Sequence, residues 1–71
     1  MPRPIELRRV LRVLAEHGFE LVSQKGSHAK LRHAGKTVIV KTTKKEIPYG
    51  TFRSILDQSG LQEERFRSSR P

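Results

Sequence analysis

The sequence predicts an α+β domain in which a helix, three antiparallel strands and a second helix follow one another along the chain. Three observations support this order: an apolar helical stripe before Gly18, three strand-like runs joined by short glycine-containing turns, and a second apolar helical stripe after Pro48. Each helix must bury its apolar side, and one face of the sheet is apolar. The economical arrangement packs both helices on that face and leaves the other face open.

The first helix is indicated by apolar residues at spacings of three and four, namely Leu7, Val10, Leu11 and Leu14. Pro4 and Glu6 suit its first turn, because proline loses no hydrogen bond there and a carboxylate complements the helix dipole. Gly18 is expected just past the last helical residue. The opposite side carries arginines that are either solvated or in contact with phosphate: Arg8, Arg9 and Arg12.

The three strands are expected over residues 19–25, 27–33 and 37–41. In the first strand, Phe19 and Leu21 are predicted to point inward. In the second strand, a period of two places Ala29 and Leu31 on one face and the basic residues on the other. The turns between the strands are expected where glycine accepts a positive φ, at Lys25-Gly26 and Ala34-Gly35.

The C-terminal third is predicted to hold a second helix and a short helical turn. Residues 42–46 form a polar connection, and Pro48 begins the helix because it fixes φ and keeps the preceding residue extended. Gly60 is expected to end the helix, whose apolar stripe is Phe52, Ile55 and Leu56. Residues 63–66 are expected to add one turn that docks Phe66 on the core.

Length and charge limit the possible functions. At 71 residues the chain is expected to be a single domain over 1–71, with a core over about 4–67 and a frayed tail at 68–71. So small a core leaves no room for a deep small-molecule cavity. Lysine and arginine outnumber aspartate and glutamate 15 to 7, and the net charge of +8 points to a polyanionic partner. Nucleic acid is favoured, with an anionic membrane surface or an acidic protein as alternatives.

Several kinds of site are excluded or disfavoured. The chain has no cysteine, which excludes disulfides and thiolate metal sites. His17, His28 and His33 are too scattered for a metal-ligand spacing. No apolar run is long enough to cross a membrane, and no signal peptide precedes the domain. We therefore expect no metal, no other cofactor, no membrane attachment and a cytoplasmic location.

The chemistry is expected at the stretch from Gln24 to His28, where a glycine turn, a hydroxyl and an imidazole lie side by side. An imidazole acts as a base or an acid near neutral pH, and His28 is predicted on the open face. RNA carries its own nucleophile, the 2′-hydroxyl, so a positioned base with nearby cations can cleave it without a metal. On these residues alone, His28 is either such a base or an ordinary surface histidine. Ser27 forms no triad with it, because adjacent strand residues face opposite sides.

The predicted RNA-binding surface comprises the turn and the basic residues around it: Lys25, Gly26, Ser27, Lys30, Arg32, Lys41, Lys44 and Lys45. Lys36 and Arg53 could extend it. His33 is not expected beside His28, because it lies five residues along the same strand and faces the other way. Tyr49 is a candidate either for stacking on a base or for packing.

The chain resembles the HicA family of toxins from bacterial and archaeal toxin–antitoxin pairs. The resemblance rests on LAEHGFELVSQKGSHAKLRH, a Val-Ile-Val strand and KKEIPYGTFRSILDQSGLQEERF, and it covers about Val10 to Phe66. The most specific marks are Gly18-Phe19, Gly26-Ser27-His28, Gly50-Thr51 with Ile55-Leu56, and Gly60-Leu61.

The resemblance implies a double-stranded-RNA-binding-like fold and a ribosome-independent mRNA interferase with His28 as its catalytic residue. It also implies a HicB antitoxin that covers the site. One departure is visible: many relatives follow the third strand with a proline and a second histidine, whereas this chain has Val40-Lys41-Thr42-Thr43.

Three hypotheses follow for the function. The first is a metal-independent endoribonuclease that acts as a toxin. The second is a non-catalytic RNA-binding module of the same fold. The third is a decayed toxin that retains antitoxin binding or a role in DNA regulation. The first two share the basic face and differ only in what His28 does.

Overall fold

The computed structural model describes residues 3–67, which form five strands and three helices. In chain order these are β1 (Ile5–Glu6), α1 (Leu7–Glu16), β2 (Glu20–Lys25), β3 (His28–His33), β4 (Lys36–Lys41), β5 (Glu46–Ile47), α2 (Tyr49–Ser59) and α3 (Glu63–Arg67). The middle strands form an antiparallel sheet in the order β2-β3-β4. The predicted helix, three-stranded sheet and helix are therefore confirmed. The expected frayed tail at 68–71 lies outside the described residues.

The core lies between the helices and one face of this sheet. On β3 the buried residues alternate with exposed ones, as predicted, and β4 shows the same alternation. The sheet buries Ala29, Leu31, Val38 and Val40, and the two longer helices bury Val10, Val13, Leu14, Phe52 and Ile55. The opposite face of the sheet, called the open face below, carries the exposed residues His28, Lys30 and Arg32.

The chain before α1 forms a strand, so the predicted place of Pro4 and Glu6 in the first helical turn is wrong. β1 pairs antiparallel with β5 and sets Ile5 opposite Ile47. Both isoleucines are buried. The helix begins at Leu7, and Glu6 is its extended N-cap residue. Burying two isoleucines stabilises more than one additional turn at the end of a short helix would.

The alternation of side chains between the two faces of the sheet is interrupted in β2. The predicted inward position of Leu21 is wrong, because 57% of this residue is exposed. Leu21 pairs with Leu31, whereas Ser23 pairs with Lys30, so the register shifts at Val22. This β-bulge places Leu21 on the helix side of the sheet. Because β2 is an edge strand and all six of its residues are exposed, the helices do not cover Leu21 there. The inward position of Phe19, just before the strand, is confirmed.

Two-residue turns connect the three central strands: the second lies at Ala34-Gly35, as predicted, and the first lies at Gly26-Ser27, one residue later than predicted. Gly26 has φ +55° between Lys25 and His28, which pair with each other. A glycine with positive φ at the first of two turn residues is typical of a type II′ turn. In the second turn, Ala34 has φ +51° and Gly35 has φ +80°. Two positive φ values define a type I′ turn, and Ala34 adopts the left-handed region without being glycine.

The C-terminal helices close the core. α2 begins at Tyr49, one residue later than predicted, and Pro48 is its extended N-cap residue. Gly60 ends α2 with φ +75°, as predicted. The predicted docking of the next turn is confirmed, because Phe66 is fully buried and its ring meets Phe52 edge-on at 5.3 Å.

A cluster of polar contacts holds α3 in place. The Tyr49 hydroxyl donates to Glu63 Oε1 at 3.1 Å, and Arg67 Nε donates to Glu63 Oε2 at 2.9 Å. The Arg67 hydrogen bond is the main reason why the pKa of Glu63 lies below its ordinary value. The Arg67 guanidinium also lies 5.3 Å from the centre of the Phe52 ring. Arg9 of α1 donates to the last two carbonyl oxygens of α3 at 3.3 and 3.4 Å. For Tyr49, packing is therefore the alternative that the structure supports.

Candidate nucleic-acid interface

The open face carries a row in which an imidazole lies between two amines. His28 pairs with Lys25 on β2 and with Lys41 on β4. Residues paired across an antiparallel sheet project on the same face, so all three side chains share the open face. Each of the three residues is exposed. The row presents a base and two cations to any ligand that lies across the sheet.

His28 and Lys41 form a non-hydrogen-bonded pair, the type of antiparallel pair with the shorter Cα–Cα distance. The Thr42 amide donates to the Ser27 carbonyl at 2.7 Å, one residue outside this pair. In an antiparallel ladder this pattern identifies His28 and Lys41 as a pair without hydrogen bonds between them. Their Cα atoms are then about 4.5 Å apart, the shorter of the two spacings. The Cα atoms of Lys41 and His28 are therefore at the shortest spacing that an antiparallel sheet provides.

Two further rows extend the positive surface along the open face. Lys30 lies between Ser23 and Ile39, and Arg32 lies between Glu20 and Thr37. Glu20 is the one carboxylate that these three rows place on this face. The predicted cations that the sheet brings together are Lys25, Lys30, Arg32 and Lys41.

The turn before His28 is tied to the end of β4. Thr42 donates twice to the Ser27 carbonyl, from its amide at 2.7 Å and from Oγ1 at 3.2 Å. These bonds fix the Gly26-Ser27 turn against the strand that carries Lys41. Sequence reasoning missed Thr42, because its partner lies 15 positions away along the chain and no local pattern marks the contact. A Cβ atom at Gly26 would meet nothing within 4 Å, so the turn is open to a ligand.

Lys44 and Lys45 lie apart from these rows. They belong to the connection between β4 and β5. Together with Arg8 they line an open groove of about 920 Å³ beside the β1–β5 ribbon, whose walls also include Glu6 and Glu46. The structure therefore places these two predicted cations at this groove and not in the rows of the open face.

Neither of the other histidines joins the row. His33 ends β3 on the side opposite His28, as predicted, and its ring packs against Phe19 with centroids 5.3 Å apart. A Cβ atom at Gly18 would lie 2.6 Å from the His33 ring, so this glycine permits the close approach. His17 is the C-cap residue of α1. Within residues 3–67, His28 is the single imidazole on the open face.

Residues 3–67 contain neither a metal-binding cluster nor a membrane-spanning helix. No group of three or more histidine, aspartate or glutamate side chains in this range is placed to hold a metal ion. None of the helices described there has the length and apolar character needed to cross a membrane.

A basic α+β domain with a covered sheet face and an open face of imidazole and amines defines a class of small proteins suited to polyanions. A family profile described as the HicA toxin of bacterial toxin–antitoxin matches residues 7–61. The chain therefore belongs to the HicA toxin family, and the resemblance seen in the sequence is confirmed. Membership implies an antitoxin partner. A search of curated proteins found no match.

Proposed function

We propose that this protein is the toxin of a type II toxin–antitoxin pair and acts as a metal-independent, ribosome-independent mRNA endoribonuclease. The observation that carries this proposal is the row in which exposed His28 pairs with Lys25 and Lys41. It is found on the open face of a domain from a toxin family. The protein would act in the cytoplasm, where transcripts are found, and as the single domain 1–71.

In the proposed mechanism, neutral His28 takes the proton of a ribose 2′-hydroxyl. The 2′-oxygen attacks the adjacent phosphorus, and the bond to the 5′-oxygen of the next nucleotide breaks. The products are a 2′,3′-cyclic phosphate and a free 5′-hydroxyl. A positioned general base contributes about 10²–10⁴-fold to such a reaction.

The cations would act on the phosphate. Negative charge accumulates on the non-bridging oxygens in the transition state, and the ammonium groups of Lys25 and Lys41 lie on both sides of His28 to stabilise it. The backbone N–H groups near Gly26 would add donors at the open turn. Because the open face offers no second imidazole within residues 3–67, the leaving 5′-oxygen takes its proton from an ammonium group or from water.

The remaining basic residues would bind the backbone on either side of the scissile phosphate. Lys30 and Arg32 continue along the open face, and Lys44 and Lys45 line the groove beyond Lys41. Neutralising about four phosphates of single-stranded RNA gives a slope near −3 for log K against log salt concentration. A HicB-like antitoxin would inhibit the toxin by covering His28.

One observation favours the alternative of a non-catalytic RNA-binding module. Thr42 and Thr43 occupy the segment where many relatives carry a second histidine, and the open face shows no replacement for that imidazole within residues 3–67. In this alternative the same rows bind RNA without cleaving it. A decayed toxin that binds only its antitoxin would lack both properties.

The experiment compares the wild-type protein with His28→Ala, in cells without the antitoxin and on purified RNA in the presence of a chelator. We expect growth arrest and RNA cleavage from the wild type, and a loss of about 10²–10⁴-fold in cleavage rate for His28→Ala. His33→Ala is the matched control, because it removes an imidazole from the other face. Cleavage that survives His28→Ala would remove His28 from the mechanism. RNA binding without cleavage by the wild type would establish the binding module.

A further inference from the structure

The two edges of the central sheet differ in how they are covered. On β4, the Ile39 amide donates to Gln58 Oε1 of α2 at 3.0 Å, so a helix side chain occupies an edge donor. On β2, all six residues are exposed. The sheet thus has one edge that α2 approaches and one edge that is open.

The open edge presents a backbone donor and a backbone acceptor. Lys25 and His28 close a two-residue turn, and such a turn closes on a hydrogen-bonded pair. Hydrogen-bonded and non-hydrogen-bonded pairs alternate along an antiparallel ladder. The N–H and C=O groups of Gln24 therefore point away from β3, toward the free edge. An added strand could pair with both.

The side chains along this edge are those of a binding strand. Leu21 is 57% exposed and Val22 is 49% exposed, the two most exposed of the large hydrophobic residues within 3–67. They are adjacent at the bulge, and the strand carries no charge between Glu20 and Lys25. Exposed edges are usually protected by charged residues in the middle of the strand, by proline or by a β-bulge. β2 has a bulge but neither a charge nor a proline at its centre, and two apolar side chains are exposed at the bulge. Such an apolar edge is suited to pairing with another chain.

We propose that an extended, acidic segment of the antitoxin adds to the sheet along the free edge of β2. Strand addition takes its affinity from backbone hydrogen bonds and its specificity from side-chain contacts, here those with Leu21 and Val22. Lys25 at the end of β2 and Lys30 on the neighbouring strand β3 place positive charge near this edge on the open face, and a chain of net charge +8 repels a second copy of itself. An acidic protein segment fits both features.

This position would also explain inhibition. β2 ends at Lys25, in the same row as His28. A strand added beside Lys25 would place the rest of the partner over that row and compete with RNA for Lys25. The inference rests on the antitoxin partner that the proposed function includes, but the location of the contact can be tested without any measurement of RNA cleavage.

The test compares Gln24→Pro with Gln24→Ala in binding to the co-produced antitoxin. Proline removes the outward N–H and is tolerated at an edge strand whose N–H faces solvent. Alanine keeps that N–H group. We expect Gln24→Pro to weaken the complex at least tenfold and Gln24→Ala to change it less than twofold. Leu21→Ser, at an exposed position, should also weaken the complex about tenfold. In the wild-type complex, the Gln24 amide should be protected from hydrogen exchange.

The contrary results are equally specific. Unchanged affinity of folded Gln24→Pro and Leu21→Ser, or protection confined to other surfaces, overturns the inference. If Gln24→Pro does not fold, Leu21→Ser and the protection of the Gln24 amide decide the question. A wild-type dimer that Leu21→Ser dissociates would assign the edge to a second copy. A wild type that cleaves no RNA, but whose Gln24 amide is protected by the antitoxin, would refute the ribonuclease and leave the docking edge standing.

Discussion

The turn at Ala34-Gly35 allows a stabilising substitution to be predicted from backbone geometry alone. Ala34 has φ +51° at the first position of a type I′ turn, where asparagine is preferred. A left-handed conformation costs an ordinary L-residue about 1–2 kcal/mol, and asparagine tolerates it better because its short polar side chain bonds locally. We expect Ala34→Asn to recover about half of that cost, or ~0.5–1 kcal/mol. In a domain of this size this raises the melting temperature by about 2–8 °C.

The assay is thermal unfolding followed by circular dichroism, with urea unfolding as a second measure. Ala15→Asn is the matched control, because Ala15 is exposed in α1 and has helical backbone angles. The same chemical change there should lower stability by up to about 0.7 kcal/mol through helix propensity. An Ala34→Asn protein that melts at or below the wild-type temperature would refute the strain argument. RNA cleavage should not change, because the turn lies at the end of β3 opposite His28.

Three further predictions concern the site and the α3 cluster. Thr42→Val removes the Oγ1 bond to the Ser27 carbonyl but keeps the amide bond, so it should cost about 0.5–1.5 kcal/mol of stability and lower the cleavage rate more than RNA affinity. Thr43→Val, at an exposed neighbour, is the control. The Arg67 hydrogen bond lowers the pKa of Glu63 in the folded protein, so its stabilisation is complete above the ordinary value of about 4.5 and is lost as the pH falls below it. Urea unfolding as a function of pH should therefore show a smaller loss of stability on acidification for Glu63→Gln than for the wild type. Lys41→Gln should reduce the salt slope of RNA binding by about 0.7, one phosphate contact, whereas Lys36→Gln should leave it unchanged.

The main elements were predictable because their patterns are local. The alternation around Val38 and Val40 identifies a strand with one buried face, and the turn residues at Gly26 and Gly35 fix the hairpins. Once the hairpins are known, His28 must lie on the open face. For the same reason, the register that sets Lys41 beside His28 follows from the length of the second turn. Each of these strand and turn patterns is contained within about ten consecutive residues of the sequence.

Other features depend on residues far apart in the chain and were not predicted. β1 forms because Ile5 pairs with Ile47, which lies more than forty positions later in the chain. A strand of two residues is also too short to show a hydrophobic periodicity in the sequence. The Gln58 contact with the β4 backbone and the bond from Thr42 to Ser27 likewise depend on tertiary placement. Lys44 and Lys45 could not be assigned to the groove without knowing that β1 and β5 pair.

The bulge at Val22 relates the core to the proposed docking edge. Without an extra residue, strict alternation would place Leu21 on the same face as Lys25, because the two lie four positions apart. The turn fixes Lys25 on the open face beside His28, so Leu21 would then lie among the cations. The bulge moves Leu21 to the helix side while Lys25 keeps its position in the row. The same irregularity exposes two adjacent apolar residues at the free edge, because no helix reaches that margin. The geometry that keeps Leu21 off the open face therefore also creates the apolar strip on which the proposed partner would bind.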